Sequence, residues 1–253
     1  MTAKRTRLFL TLAIAPLALG LAACKQEATA PAGEALKGEA IAAIAPPAGK
    51  AWTDVVEVTA DGGYRVGNPN APIKLMEFGA LSCSHCAEFS EAASAELLGQ
   101  FVASGRVSYE LRFFMLNALD VPATLLATCG SPEAVIPLAD QFWAFQKTMF
   151  QNLQAGGEAQ LQAAGSLPPE QRFAAIAKLG GMDTFFAARG IPQAQAATCL
   201  ADVNKATAFV NATQKAGTEM GITGTPTFFL NGAKLDFNTW DKVKGALQGA
   251  GAR

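Results

Sequence analysis

The chain switches between two hydrophobic periods, and the switches mark its elements. Trp52 to Val58 has strand character, Asp61-Gly62-Gly63 is a turn, and Tyr64-Arg65-Val66 is placed to pair back on the first run. After a second turn, Asn68-Pro69-Asn70-Ala71-Pro72, the run Ile73 to Phe78 has the length and apolarity of a buried strand. Beyond Cys83 the period lengthens: Phe89, Ala93, Leu97 and Phe101 recur every four residues, as on one helix face, and Gly105 ends the helix. Val107 to Phe114 is strand-like again. Strand, helix, strand is a βαβ unit, which implies a right-handed crossover and parallel pairing.

Residues 121–215 are rich in Ala, Gln, Leu and Lys and are cut by Gly130-Ser131-Pro132, Gly156-Gly157, Pro168-Pro169, Gly180-Gly181 and Gly190-Ile191-Pro192. Short helices between breakers are expected. Thr227 to Leu230 is a strand, Asn231-Gly232 a hairpin turn, and Ala233-Lys234-Leu235 its partner. Asn238 is placed to cap a last helix with Trp240, Val243 and Leu247 on one stripe. The fold class is therefore α/β: a first half over 51–120, a helical insertion over 121–215, and a ββα half over 216–253.

The N-terminus adds a destination. Lys4, Arg5 and Arg7 precede an apolar run from Leu8 to Leu19, and Leu21-Ala22-Ala23-Cys24 follows. This reads as a secretory signal over 1–23, too short for a confident membrane span. Leu-Ala-Ala-Cys resembles the lipobox of bacterial lipoproteins, in which the cysteine carries lipid. The alternative is an ordinary cleaved signal with Cys24 incidental. Residues 24–50 lack aromatic residues, carry Pro31, Pro46 and Pro47, and read as a flexible linker with a reach of roughly 25–30 Å. Localisation in the periplasm, anchored to a membrane through Cys24, is expected.

Removing the leader takes three basic residues and no acidic one, so 17 Lys+Arg face 21 Asp+Glu, a net charge of −4. No basic run survives to track a phosphate backbone, which argues against nucleic acid. Half of the residues are hydrophobic, ample for a core.

The cysteines carry the chemistry. Cys83-Ser84-His85-Cys86 sits between an apolar strand and a helix. A thiolate that attacks a disulfide needs a second thiol to resolve the mixed disulfide, and two intervening residues let both sulfurs meet across the first helical turn. Unpaired N–H groups at the helix start favour a thiolate at Cys83, and a charged His85 imidazole adds to this. Half of a zinc site is the competing reading, but His85 is the one histidine and there is no second CxxC. No metal and no cofactor are expected. Cys129 and Cys199 remain, and in an exported chain they are expected to pair, two free buried thiols being the alternative.

The segment from Glu77 and Phe78-Gly79-Ala80-Leu81-Ser82 to Cys83-Ser84-His85-Cys86 resembles the active site of DsbA-like thiol–disulfide oxidoreductases, a thioredoxin-like family. Gly224-Thr225-Pro226-Thr227-Phe228 is similar to that family's cis-proline loop, and the helical insertion matches as well, so the resemblance spans about residues 64–248. It implies a thioredoxin-like fold with a helical insertion between the βαβ and ββα halves. It also implies a cis bond before Pro226, where a plain strand-entry proline is the alternative, with Thr225 turned toward Cys83 and able to pair with an extended substrate. Glu77 reads either as an exposed strand end or as a buried carboxylate with a raised pKa that moves protons near Cys86, with Arg112 as charge partner. Phe142, Trp143, Phe145 and Phe150 are more readily core than peptide groove.

Three functions follow. The first is an oxidase that introduces disulfides into exported proteins and is reoxidised by a membrane partner of DsbB type. The second runs the same chemistry as a reductase or isomerase, since Ser84 stands where the best-known family member has Pro, and Thr225 resembles the isomerase-like branch. The third is a lipoprotein that captures soft metal ions such as copper(I).

Overall fold

The structure, a computed structural model, describes residues 38–253. The signal segment, Cys24 and the linker up to residue 37 lie outside the described residues. The first strands are β1 (Val56–Val58) and β2 (Tyr64–Gly67), joined by a tight turn and paired antiparallel. Trp52–Asp54, expected to extend the first strand, forms a short 3-10 turn instead, because Trp52 is buried and its indole N–H reaches the Ile44 carbonyl.

β3 (Ile73–Gly79) and β4 (Val107–Phe113) are parallel, linked by α1 (Ser84–Glu96) and a wider π-helical continuation over Leu97–Val102. Phe89, Ala93, Leu97 and Phe101 are all buried. A strict four-residue repeat outruns the 3.6 residues of an α-turn, and the wider turn keeps Phe101 on the same face. β5 (Thr227–Leu230) and β6 (Ala233–Lys234) complete a sheet of order β1-β2-β4-β3-β5-β6, with β5 antiparallel to β3. The β5–β6 turn places Asn231 at φ 49° and Gly232 at φ 84°, the left-handed pair that this hairpin requires.

The insertion holds α2 (Asp120–Ala127), α3 (Pro132–Gly156), α4 (Glu158–Gly165), α5 (Pro169–Leu179), α6 (Met182–Ala187), α7 (Gln193–Leu200) and α8 (Val203–Met220). The Gly and Pro breakers stand at their boundaries. The expectation of short helices fails for α3, which runs for 25 residues past Pro137. Its apolar face, including Val135, Leu138, Phe142, Met149 and Leu153, is buried along its length, and that burial outweighs one lost N–H. α9 (Trp240–Gly249) begins after Thr239, not Asn238, and Thr239 makes no side-chain cap.

Alternation on β3 divides the core. Ile73, Leu75 and Glu77 face the large cluster that also contains Phe89 of α1, Phe142 of α3 and Leu247 of α9. Met76 and Phe78 face a smaller cluster with Phe114, Phe229 and Ala216 of α8. Residues 38–44 have no regular secondary structure, yet they are strapped to the domain rather than free of it. Gly38 and Ile41 donate to the carbonyls of Gly249 and Gly251, Ile44 donates to Ser104, and Arg106 reaches the Ile41 carbonyl. The Ala, Gly and Pro content of residues 24–50 marks a linker and carries no sign of these backbone partners. The strap sits at the start of β4, the end of the parallel pair remote from Cys83.

Candidate active site

Cys83 follows β3 and occupies the N-cap of α1. Its sulfur accepts the Cys86 backbone N–H at 3.4 Å, one of the donors left open at a helix start. Both cysteines are thiols. Cys86 is fully buried, and Cys83 keeps only 8% of its surface. The cause is the loop before β5, which leans over it: the Cys83 thiol donates to the Thr225 carbonyl at 3.2 Å, and the Thr225–Pro226 peptide bond is cis. The Thr225 hydroxyl is buried without a hydrogen-bond partner.

The two thiols are driven apart electrostatically. Cys83 is lowered to about 5, first by the hydrogen bond from the Cys86 thiol and then, against burial, by the backbone N–H groups of Cys86 and His85. Cys86 is pushed far above the ordinary thiol range by burial, by the Cys83 sulfur and by the negative charge of Glu77. The His85 ring is exposed and pairs with Glu88 at 3.0 Å, which raises the imidazole pKa. His85 meets the Cys83 charge only weakly through its ring, the negative sulfur being the smallest of the causes that raise the imidazole pKa. The larger help that His85 gives Cys83 comes from its backbone N–H, because the ring is exposed to screening water and paired with Glu88.

Glu77 is fully buried, and its carboxyl is raised to about 8 by burial, with the Cys83 charge adding to this and a Tyr109 hydrogen bond opposing it. Arg112 is not its partner. Residues 109, 111 and 77 share one face of the sheet, so Tyr109 donates its hydroxyl to Glu77 Oε2 at 2.7 Å. Arg112 points from the other face, over the Phe78 ring, and binds Glu110 at 2.7 Å and Asp61 at 3.0 Å.

The helical insertion holds the backbone that leads to the nucleophile. The Trp143 indole N–H donates to the Ala80 carbonyl at 2.9 Å, and Gln146 Nε2 donates to the carbonyls of Leu81 and Cys83 at 2.8 and 2.9 Å. Asp120, fully buried at the start of α2, accepts from the Ser82 N–H at 2.7 Å, the Ser82 hydroxyl, and the N–H groups of Leu116 and Asn117. Burial raises its pKa while those donors oppose the rise. Phe142 and Trp143 are core, Phe145 packs on the core margin, and Phe150 is exposed. Sequence reasoning missed Tyr109, Asp120 and Gln146 as parts of this site. Tyr109 was reachable through strand alternation, whereas nothing local marks Asp120 or Gln146.

Cys129 and Cys199 form a disulfide, with Cα atoms 5.9 Å apart, that ties the end of α2 to α7. Among the described residues no group of three or more His, Cys, Asp or Glu is placed to hold a metal ion, and no helix is long and apolar enough to cross a membrane.

Comparison with known proteins places this arrangement. A family model described as Thioredoxin matches residues 59–249. A Rickettsia prowazekii protein named "Putative protein-disulfide oxidoreductase" is 25% identical over 191 residues, covering 75% of this chain and 62% of that protein. A Rickettsia felis protein of the same name is 22% identical and covers 75% and 60%. The chain thus spans about three-fifths of the length of these curated relatives. The crystal structure of a protein-disulfide isomerase from Novosphingobium aromaticivorans aligns with a TM-score of 0.71 at 28% identity, covering 75% of this chain and 97% of that one. Alpha-DsbA1 from Wolbachia pipientis, at 19% identity, TM-score 0.59 and coverage of 73% and 88%, shares the fold, a thioredoxin-like domain with a helical insertion.

Proposed function

The chain belongs to the thioredoxin family, and we propose that within it the protein is a thiol–disulfide oxidoreductase of DsbA type that introduces disulfides into exported proteins. One observation carries the reading: the Cys86 thiol and the N-cap of α1 hold Cys83 at about 5 while burial holds Cys86 far above it. Such a pair gives one good leaving group and one thiol that stays protonated.

In the oxidised enzyme a substrate thiolate attacks Cys83 Sγ. The Cys83–Cys86 bond breaks, its electron pair goes to Cys86, and the Glu77 carboxylic acid supplies the proton. A second substrate thiolate then attacks the substrate sulfur of the mixed disulfide, and Cys83 departs as a thiolate. The substrate loses two electrons and the enzyme gains them. Stabilising the Cys83 thiolate stabilises the reduced enzyme, so its disulfide is oxidising. The backbone of Thr225 lies beside Cys83, where an extended substrate can add as a strand.

The reading extends to place and partner. Leu-Ala-Ala-Cys after an apolar run supports a periplasmic lipoprotein anchored through Cys24, reoxidised by a membrane protein of DsbB type. A second reading, disulfide isomerase, is favoured by the 28% identity to the Novosphingobium protein of that title. Equilibration of the Cys83–Cys86 pair with glutathione, together with oxidation of a dithiol peptide, tests the assignment. An equilibrium on the oxidising side and peptide oxidation that is lost in Cys83→Ser are expected. A strongly reducing pair that instead reactivates a scrambled protein would replace oxidase by isomerase.

A further inference from the structure

Glu77 is sealed from solvent, yet the exchange proposed above passes a proton to and from it in every turnover. We infer that the protein carries a port for that proton, running from Glu77 through a small polar cavity to Asp140 on α3. The inference rests on the exchange reading of Cys83 and Cys86.

Tyr109 donates to Glu77 Oε2, so the acidic proton resides on the other oxygen, Oε1. Oε1 is buried and has no hydrogen-bond partner. Buried polar atoms are nearly always paired, and Oε1 is one of four exceptions among the described residues, each of which calls for a water or a working group. A cavity of about 20 Å³ lies against Glu77, and the polar part of its lining is Glu77, Tyr109, Ser90, Ser94 and Asp140. That volume exceeds the roughly 10–15 Å³ that one water needs, and the lining supplies the two to four polar partners that would hold it.

Polarity then steps outward. Ser90 and Ser94 stand one turn apart on α1 and both donate to Asp140 Oδ1, Ser94 at 2.5 Å. Ser90 is buried, while Ser94 and Asp140 are partly exposed. The rest of the lining is apolar, including Leu97, Ile136 and Trp143, so this is the polar side of the cavity. The charge of Asp140 reaches Tyr109 and helps to raise its pKa. The groups that face Glu77 are Cys83 and Cys86 from α1, Tyr109 from β4 and, across the cavity, Asp140 from α3. A contact serving only to join α1 to α3 would account for the two serines, but not for the unpartnered oxygen or the cavity beside Glu77.

When the Cys83–Cys86 bond breaks, Glu77 Oε1 gives its proton to the Cys86 sulfur. The port replaces it: Asp140 takes a proton from solvent and passes it through the Ser90 and Ser94 hydroxyls and a cavity water to Oε1. Reoxidation runs every transfer in reverse, with no oxidant or reductant beyond the exchanging thiols and disulfides. Asp140 never touches sulfur and acts only through Glu77.

The experiment is single-turnover reduction of the oxidised protein by a dithiol peptide, in H₂O and in D₂O, with the glutathione equilibrium measured alongside. Asp140→Asn should slow the turnover at least about tenfold, modest against the roughly 10²–10⁴ that positioned proton transfer contributes, and shift the glutathione equilibrium less than about twofold. It should also raise the solvent isotope effect, and added formate should restore the rate. Ser90→Ala combined with Ser94→Ala should do the same. Wild-type rate and isotope effect in both variants would overturn the port. If Asp140→Asn fails to fold, Ser94→Val, which fills the cavity, decides by the same two readouts. Failure of the exchange reading is separate: it appears as full peptide oxidation by Cys83→Ser, whatever Asp140 does.

Discussion

Replacing Glu77 with Gln is expected to stabilise the reduced protein at neutral pH, with a pH signature set by the burial of this carboxyl. Its pKa is raised from 4.5 to about 8 in the folded state, so between those values the native protein holds a proton that the unfolded chain has released. Stability contributed by this group is present in full below about pH 4.5 and is lost as pH rises toward 8. Each pH unit in that window costs about 1.4 kcal/mol, so by pH 7 wild type has lost about 3 kcal/mol that Glu77→Gln, which does not titrate, keeps. Gln fills the same space, so the packing around Tyr109 and Leu111 is undisturbed. Urea denaturation of both proteins in one reductant, from pH 4 to 9, gives the difference directly, because every titrating group not coupled to Glu77 cancels. The difference should be flat below about 4.5, rise through neutrality and level off above about 8. A difference that is flat throughout would mean that Glu77 titrates as an ordinary hydrated carboxyl, and both its proton role and its port would fall with it.

Three further outcomes follow. Thiolate absorbance in the reduced protein should show Cys83 titrating near 5, with Cys86 silent through the alkaline range, and His85→Ala should shift the Cys83 midpoint by less than about half a pH unit because the ring is exposed and screened. Replacing both Cys129 and Cys199 with Ala should lower stability by about 4 kcal/mol through the closed loop of 70 residues, measured by denaturation of the oxidised protein, and an unchanged midpoint would refute this. Asp120→Ala leaves the Ser82, Leu116 and Asn117 N–H groups without their acceptor, so a loss of about 2–4 kcal/mol and an upward move of the Cys83 midpoint are expected, the second being what a merely remote structural residue would not produce.

The sequence by itself determined the elements and the reactive pair. Strand alternation over Ile73–Phe78, the helix face through Phe89 and Phe101, the Gly and Pro breakers of the insertion and the Asn231-Gly232 turn are local signals, because backbone dihedrals and side-chain periodicity act over a few residues. Cys83-Ser84-His85-Cys86 is likewise local, since the chemistry of one helical turn fixes its spacing. Tertiary structure alone decided which groups surround those sulfurs. It gave Glu77 the Tyr109 hydroxyl and turned Arg112 to the other face of the sheet. It brought Asp120, Trp143 and Gln146 from the insertion to the loop over Ala80–Cys83, and it strapped residues 38–44 to the end of α9. Hydrogen bonds and desolvation depend on distances between residues remote in the chain, and residue identity along a sequence carries no direct record of those distances.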